Sequence, residues 1–140
     1  MDGSSSRLWN SGSYSLGKGN KAFEKEKIAT IYETNITFNT VAANYFKNAY
    51  STLIGFDMEE RCLLIKPISK EEAVVRNLSE DDLHPMSIKP SYGRINGKSI
   101  IKKLCYYYPI DFSETKSHRY MCEWNNSESL LKIDLKREVK

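Results

Sequence analysis

Residues 86–108, MSIKPSYGRINGKSIIKKLCYYY, hold Lys89, Arg94, Lys98, Lys102 and Lys103 but neither Asp nor Glu, in a chain whose net charge is only +3. Cations gathered without neutralising carboxylates suit phosphate. Ammonium and guanidinium groups displace counterions from a nucleic-acid backbone, and an arginine can also read guanine through two hydrogen bonds. Tyr106, Tyr107 and Tyr108 carry aromatic faces of the kind that stack on bases. A cluster of this type is more often core and interface, so at least two of the three rings are expected to be buried. The same stretch also describes an ordinary surface helix, with Ile100, Ile101, Leu104 and Cys105 on one stripe and Lys98, Ser99, Lys102 and Lys103 opposite. A phosphate-contacting face and a solvated lysine face are therefore both open. Arg94, just ahead of the helix where basic groups can converge, favours the first.

Other chemistries lack their residues. Nucleophilic catalysis needs a base held beside the nucleophile. The two histidines stand apart, His84 before Pro85 and His118 beside Arg119, and both read as surface or capping residues. Cys62, Cys105 and Cys122 are odd in number and widely spaced, which suggests buried thiols and no disulfide framework or zinc site. Asp57, Glu59 and Glu60 fall in a hairpin turn, where carboxylates serve the backbone. The glycine runs GKGNK and NGKS lack the spacing of a phosphate-binding loop. No enzyme activity, metal or cofactor is expected. With no apolar run long enough to span a bilayer and no signal-peptide core near the N-terminus, the expected setting is the cytoplasm, away from membrane.

The elements that must position the basic residues read as an α+β chain. Residues 1–26 are rich in Gly, Ser, Asn and Lys and form an expected flexible arm, with Trp9 and Tyr14 as partner-binding anchors. Residues 27–68 form a first unit: IATIY as a strand, TFNTVAANYF with helical spacing, then a hairpin from STLIGF and RCLLIKP, closed by Pro67. Residues 69–86 are an acidic connector with about one helical turn. Residues 87–140 form a second unit in which MSIKP and YGRI are strands, GKSIIKKLCYYY a helix, and SHRYMCEW with SLLKIDL a hairpin.

The two units read as one β-α-β-β repeat written twice. Val41, Ala42, Tyr45 and Phe46 recur as Ile100, Ile101, Leu104 and Cys105 at an offset of 59, shared by Ile36 and Ile95. Across the hairpins the offset is 68, matching Phe56 to Trp124, Leu63 to Leu131 and Ile65 to Ile133, with an insertion around YPIDFSETK. The expected architecture is one pseudo-symmetric sheet or barrel.

On GRINGKSIIKKL the chain resembles swapped-hairpin DNA-binding proteins of the AbrB and MraZ kind, through Gly93, Arg94, Ile95, Lys98, Ile100, Lys102 and Leu104. The resemblance covers roughly residues 27–67 and 87–135. It implies two half-repeats interleaved into one barrel, from a homodimer or a duplicated chain, that regulates transcription by binding double-stranded DNA. Asn35 stands where the first half would carry its Gly-Arg pair, which leaves base reading to the second. A second resemblance is to small Gram-positive proteins found beside large serine recombinases on mobile elements, through Ile36, Phe38, Asn39, Ala42, Asp57, Arg61 and Pro67. It implies an accessory role in DNA recombination, by contact with DNA or with the recombinase. The functional expectation is thus a non-enzymatic DNA-binding accessory factor of a mobile element or phage, acting through Lys89, Arg94, Lys98, Lys102 and Lys103. The alternative is an adaptor that docks on a recombinase or another element protein without touching DNA.

Overall fold

The computed structural model describes residues 26–139, so Trp9, Tyr14 and the expected arm lie outside the described residues. Within them, apolar residues alternate along the strands. Ala29 and Ile31 are buried in β1 (Ile28–Tyr32), Ile36 and Phe38 in β2 (Asn35–Asn39), and Gly93 and Ile95 in β6 (Tyr92–Asn96). This period of two puts one face of each strand against the core. The remaining strands are β3 (Ser51–Asp57), β4 (Cys62–Ile68), the two-residue β5 (Ser87–Ile88), β7 (Ser117–Asn125) and β8 (Leu130–Val139). All eight form one curled antiparallel sheet, a half-barrel, in the order β3-β4-β8-β7-β1-β2-β6-β5.

β2 is a correction to the sequence reading, which ran the helix through TFN. Ile36 and Phe38 take strand alternation, and Asn39 then starts the helix: its side chain accepts from the Ala42 amide at 3.1 Å, so α1 covers only Thr40–Ala43 before a 3-10 turn to Phe46. Asn39 also accepts from the Ile28 amide and donates to the Glu26 carbonyl, tying the start of β1 to the same corner. Pro67 does not end the first hairpin either. β4 runs on to Ile68, at positions paired with β3 but not with β8, where a missing N–H costs no second ladder. The connector holds α2 (Lys70–Val75), capped by Ser69, and a 3-10 turn at Glu80–Asp82.

Three long-range pairings join the halves of the chain, the first being β1 with β7, Thr30 opposite Arg119. β2 meets β6 with Ile36 opposite Ile95, and β4 meets β8 with Leu63 opposite Ile133 and Ile65 opposite Leu131. The outermost strands, β3 and β5, are not paired, yet the His84 amide donates to the Thr52 carbonyl at 2.9 Å and the Thr52 hydroxyl donates to the His84 carbonyl. Those two bonds tie the connector just ahead of β5 to the edge strand β3. On the core side lies α3 (Lys98–Tyr107), whose Ile101 and Leu104 pack with Phe38, Phe46, Ile95 and Leu131.

Both buried thiols, Cys62 and Cys122, have raised pKa values because burial disfavours the thiolate, Cys122 to about 12. Cys105 is half-buried. His118 is a bridging residue: Nδ1 lies 2.8 Å from the Glu138 carboxylate and Nε2 2.6 Å from the Asp111 carbonyl, pinning the α3–β7 loop to the sheet. The Glu138 hydrogen bond raises its pKa above the ordinary 6.5, against a smaller opposing effect of burial.

Three outcomes follow from this packing. Phe46 and Leu104 are 1% and 3% exposed, so Phe46→Ala and Leu104→Ala should each lower unfolding free energy by about 2–5 kcal/mol in chemical denaturation; a loss below about 0.5 kcal/mol would contradict their burial. A Cβ on Gly93 would stand 2.9 Å from both the Ala43 Cβ and the Met86 Sδ, so Gly93→Ala should cost about 1–3 kcal/mol by forcing α1 off the sheet. The raised His118 pKa favours the charged ring in the fold. Its contribution is fully present below the unfolded value of 6.5 and lost as pH rises through the folded value, so denaturation curves should show wild type losing stability relative to His118→Ala over that window.

Candidate nucleic-acid interface

Strand alternation decides where Arg94 points. Its neighbours Gly93 and Ile95 are buried on the core side, so Arg94 projects from the outer face of the sheet with Tyr92 and Asn96. The guanidinium carbon sits over the Tyr92 ring at 5.1 Å, and Nε is buried without a hydrogen-bond partner. Stacking on a ring restricts a side chain that would otherwise sample many rotamers.

The registers carry this outer face across four strands. Arg94 stands opposite Thr37, Thr37 opposite Thr30, and Thr30 opposite Arg119. On either side of this row, the same-side positions are Asn35, Asn39, Tyr92 and Asn96 on β2 and β6, and Tyr32, Ser117, Met121 and the buried Ile28 on β1 and β7. None of these twelve residues is Asp or Glu; the acids Glu33 and Glu123 fall outside the paired rows. Three strand spacings separate the two arginines, roughly 14 Å along the sheet, close to the ~12 Å width of a major groove. The platform therefore presents two cations at its ends, with amide and hydroxyl side chains and two tyrosines between them.

The basic residues singled out in the sequence are not brought to one place. Lys89 opens the turn of the β5–β6 hairpin, its amide donating to the Tyr92 carbonyl at 2.8 Å, so it belongs with Arg94. Lys98, Lys102 and Lys103 are exposed on α3, on the other side of the sheet, as the amphipathic pattern requires. Lys98 and Lys102 border a cleft shared with Glu33 and Asp111, whereas Lys103 borders a different one beside His84 and Asp81. The tyrosine cluster corrects its expectation: Tyr106 and Tyr107 are 82% and 41% exposed, because only Ile101 and Leu104 of α3 turn fully inward. Tyr108 alone is half-buried, donating to the Leu135 carbonyl at 2.9 Å.

Arg119 was missed by reasoning along the chain. Its signal was present in the alternation of His118, Arg119 and Tyr120, but its meaning depends on β7 pairing with β1, a contact between distant residues. The residues that carry the second resemblance all have folding tasks. Ile36, Phe38 and Ala42 are buried, Asn39 caps α1, Asp57 accepts from the Glu60 amide in the first hairpin turn, and Arg61 takes the positive φ of that turn. Among the described residues no group of three or more His, Cys, Asp or Glu side chains is gathered around a metal-sized space, and no helix is long and apolar enough to cross a membrane. No protein-family model, curated protein or solved structure matches the chain.

Proposed function

We propose that the chain is a non-enzymatic DNA-binding factor that acts in transcription or recombination on a bacterial mobile element or phage, and that it touches double-stranded DNA with the outer sheet face around Arg94. The single observation that carries this reading is the acid-free row Arg119–Thr30–Thr37–Arg94. Arg, Asn, Thr and Tyr are the residue types that contact phosphates and base edges, and an interface of this kind derives its affinity first from counterion release. Lys89 extends the row at one end, while Lys98, Lys102 and Lys103 would reach only nucleic acid that wraps past the sheet.

The finer architecture in this reading is a duplicated unit folded about a local two-fold. Several independent features support it. In the β2–β6 ladder the corresponding residues Ile36 and Ile95 face each other, with Asn35 opposite Asn96 on one side and Thr37 opposite Arg94 on the other. In the β4–β8 ladder Leu64 faces Lys132, its counterpart at the offset of 68, in the same way. The hairpin turns correspond residue by residue: Asp57 and Asn125 accept from the amides of Glu60 and Glu128, both at 3.0 Å, and Arg61 and Ser129 follow with φ of 56° and 54°. Lys136 and Lys66, each from the opposite half, donate to the Glu60 and Glu128 carbonyls.

A second reading, docking on a protein partner such as a serine recombinase, has its own support in the exposed apolar residues Val74 and Val75 on α2 and in Tyr106. Salt titration of duplex binding separates the two. Wild type should bind a random duplex at low salt, and Arg94→Ala with Arg119→Ala should flatten the log-log salt dependence by about 0.9 per contact removed, with an unchanged melting temperature. Arg94→Lys should keep most of the affinity but lose base preference. An absence of duplex binding at low salt, with a partner protein still bound, would overturn the DNA reading in favour of docking.

A further inference from the structure

A cleft of about 440 Å³ lies between α3, the β3–β4 hairpin and the connector. Its floor is apolar, made by Ile54, Phe56, Leu63, Ile100 and Leu104. The rim is polar: Lys103 and Ser99 from α3 face His84 and Asp81 from the connector. A concave apolar floor of this volume with a few polar groups at its mouth is the usual form of a small-molecule site.

The other half of the molecule explains why this space is open. At the position matching Leu104, the first half carries Tyr45, whose ring lies flat on Trp124 at 4.2 Å and occupies the space between helix and hairpin. In the second half Leu104 is too short to do so. Phe56, the counterpart of Trp124, is instead covered one helical turn further on by Tyr107 at 5.4 Å, which leaves the region beside Ile100 and Leu104 unfilled. This comparison rests on the duplicated-unit reading above; the cleft and its lining do not.

We propose that this cleft binds a small molecule with an apolar body and a carboxylate, such as a medium-chain or aromatic acid, with the carboxylate held at Lys103. Two features favour an anion over a cation. Lys103 stands on the same rigid helix as two floor residues, next to Leu104 and one turn from Ile100. Burial lowers the His84 pKa, helped by the Lys103 charge and against the pull of Asp82, and its backbone is fixed by Thr52, which makes the imidazole a placed hydrogen-bonding group. Asp81 is the one carboxylate at the mouth and sits on the exposed 3-10 turn.

The test is a calorimetric or NMR titration of the full chain with octanoate, octan-1-ol and octylammonium as probes. Octanoate should bind saturably, and octylammonium about tenfold more weakly or not at all. Lys103→Glu should weaken octanoate about fivefold or more while leaving octan-1-ol unchanged. Ser99 is exposed at the rim, so Ser99→Trp should block all three probes without changing the melting temperature. The proposal is overturned if octanoate does not bind, if octylammonium binds as well as octanoate, or if Ser99→Trp leaves octanoate binding intact. Ser99→Trp lies off the outer face and changes no charge, so duplex binding of that variant measured in parallel reports separately on the DNA reading.

Discussion

The pairing of β2 with β6, Ile36 opposite Ile95, is the constraint on which the remaining structure depends. Side chains alternate with a period of two, so a slip of one residue would bring Arg94 into the core and expel Ile95. Burying an unpaired guanidinium and exposing a full isoleucine are both costly, so the register is strongly specified. Gly93 adds a second condition. Ala43 of α1 lies so close to the β6 backbone that any side chain at Gly93 would hold the helix away, and α1 in turn carries Phe46 into the core. Glycine and arginine, adjacent in sequence, thus serve opposite faces of one strand: the first admits the helix, the second forms the outer surface.

The same alternation separates the basic residues by function. Arg94 and Arg119 stand on a rigid sheet, where their spacing is fixed by strand separation. The lysines of α3 border two clefts, Lys98 and Lys102 one that also holds Glu33 and Asp111, Lys103 one that also holds Asp81. A placed array of few cations can select the geometry of what it binds, while scattered lysines supply only attraction that salt screens. The proposed interface therefore rests on the sheet, and the proposed acid site on the cleft beside α3.

Much of the fold was legible in the sequence because it is local. Alternation marked the hairpins, and Gly97 followed by an apolar stripe marked α3. The helix near Val41 was over-extended because Ile36 and Phe38 fit both periods, and only the Asn39 cap decides between them. The candidate site was legible by half. Charge segregation singled out Arg94, but along a chain Arg94 and Lys98 are neighbours, whereas in the sheet Arg94 keeps company with Thr37 and Arg119. That exchange of neighbours comes from pairings between residues far apart, which periodicity does not encode. The tyrosines were misjudged for a related reason: a run of three on a helix cannot share one buried stripe, so Tyr108 bonds to the sheet, Tyr107 covers Phe56 from its exposed side, and Tyr106 stays in solvent.

The most direct test of the central claim is an amide and arginine-side-chain NMR titration of the protein with a short duplex at low salt. Shifts should concentrate on the outer positions of β1, β2, β6 and β7, with the Arg94 and Arg119 Nε–H signals among the most affected, and should reverse when salt is added. Shifts confined to α3 around Lys102, Lys103 and Tyr106, or no shifts at all, would contradict the assignment of the outer sheet face as the DNA-binding surface.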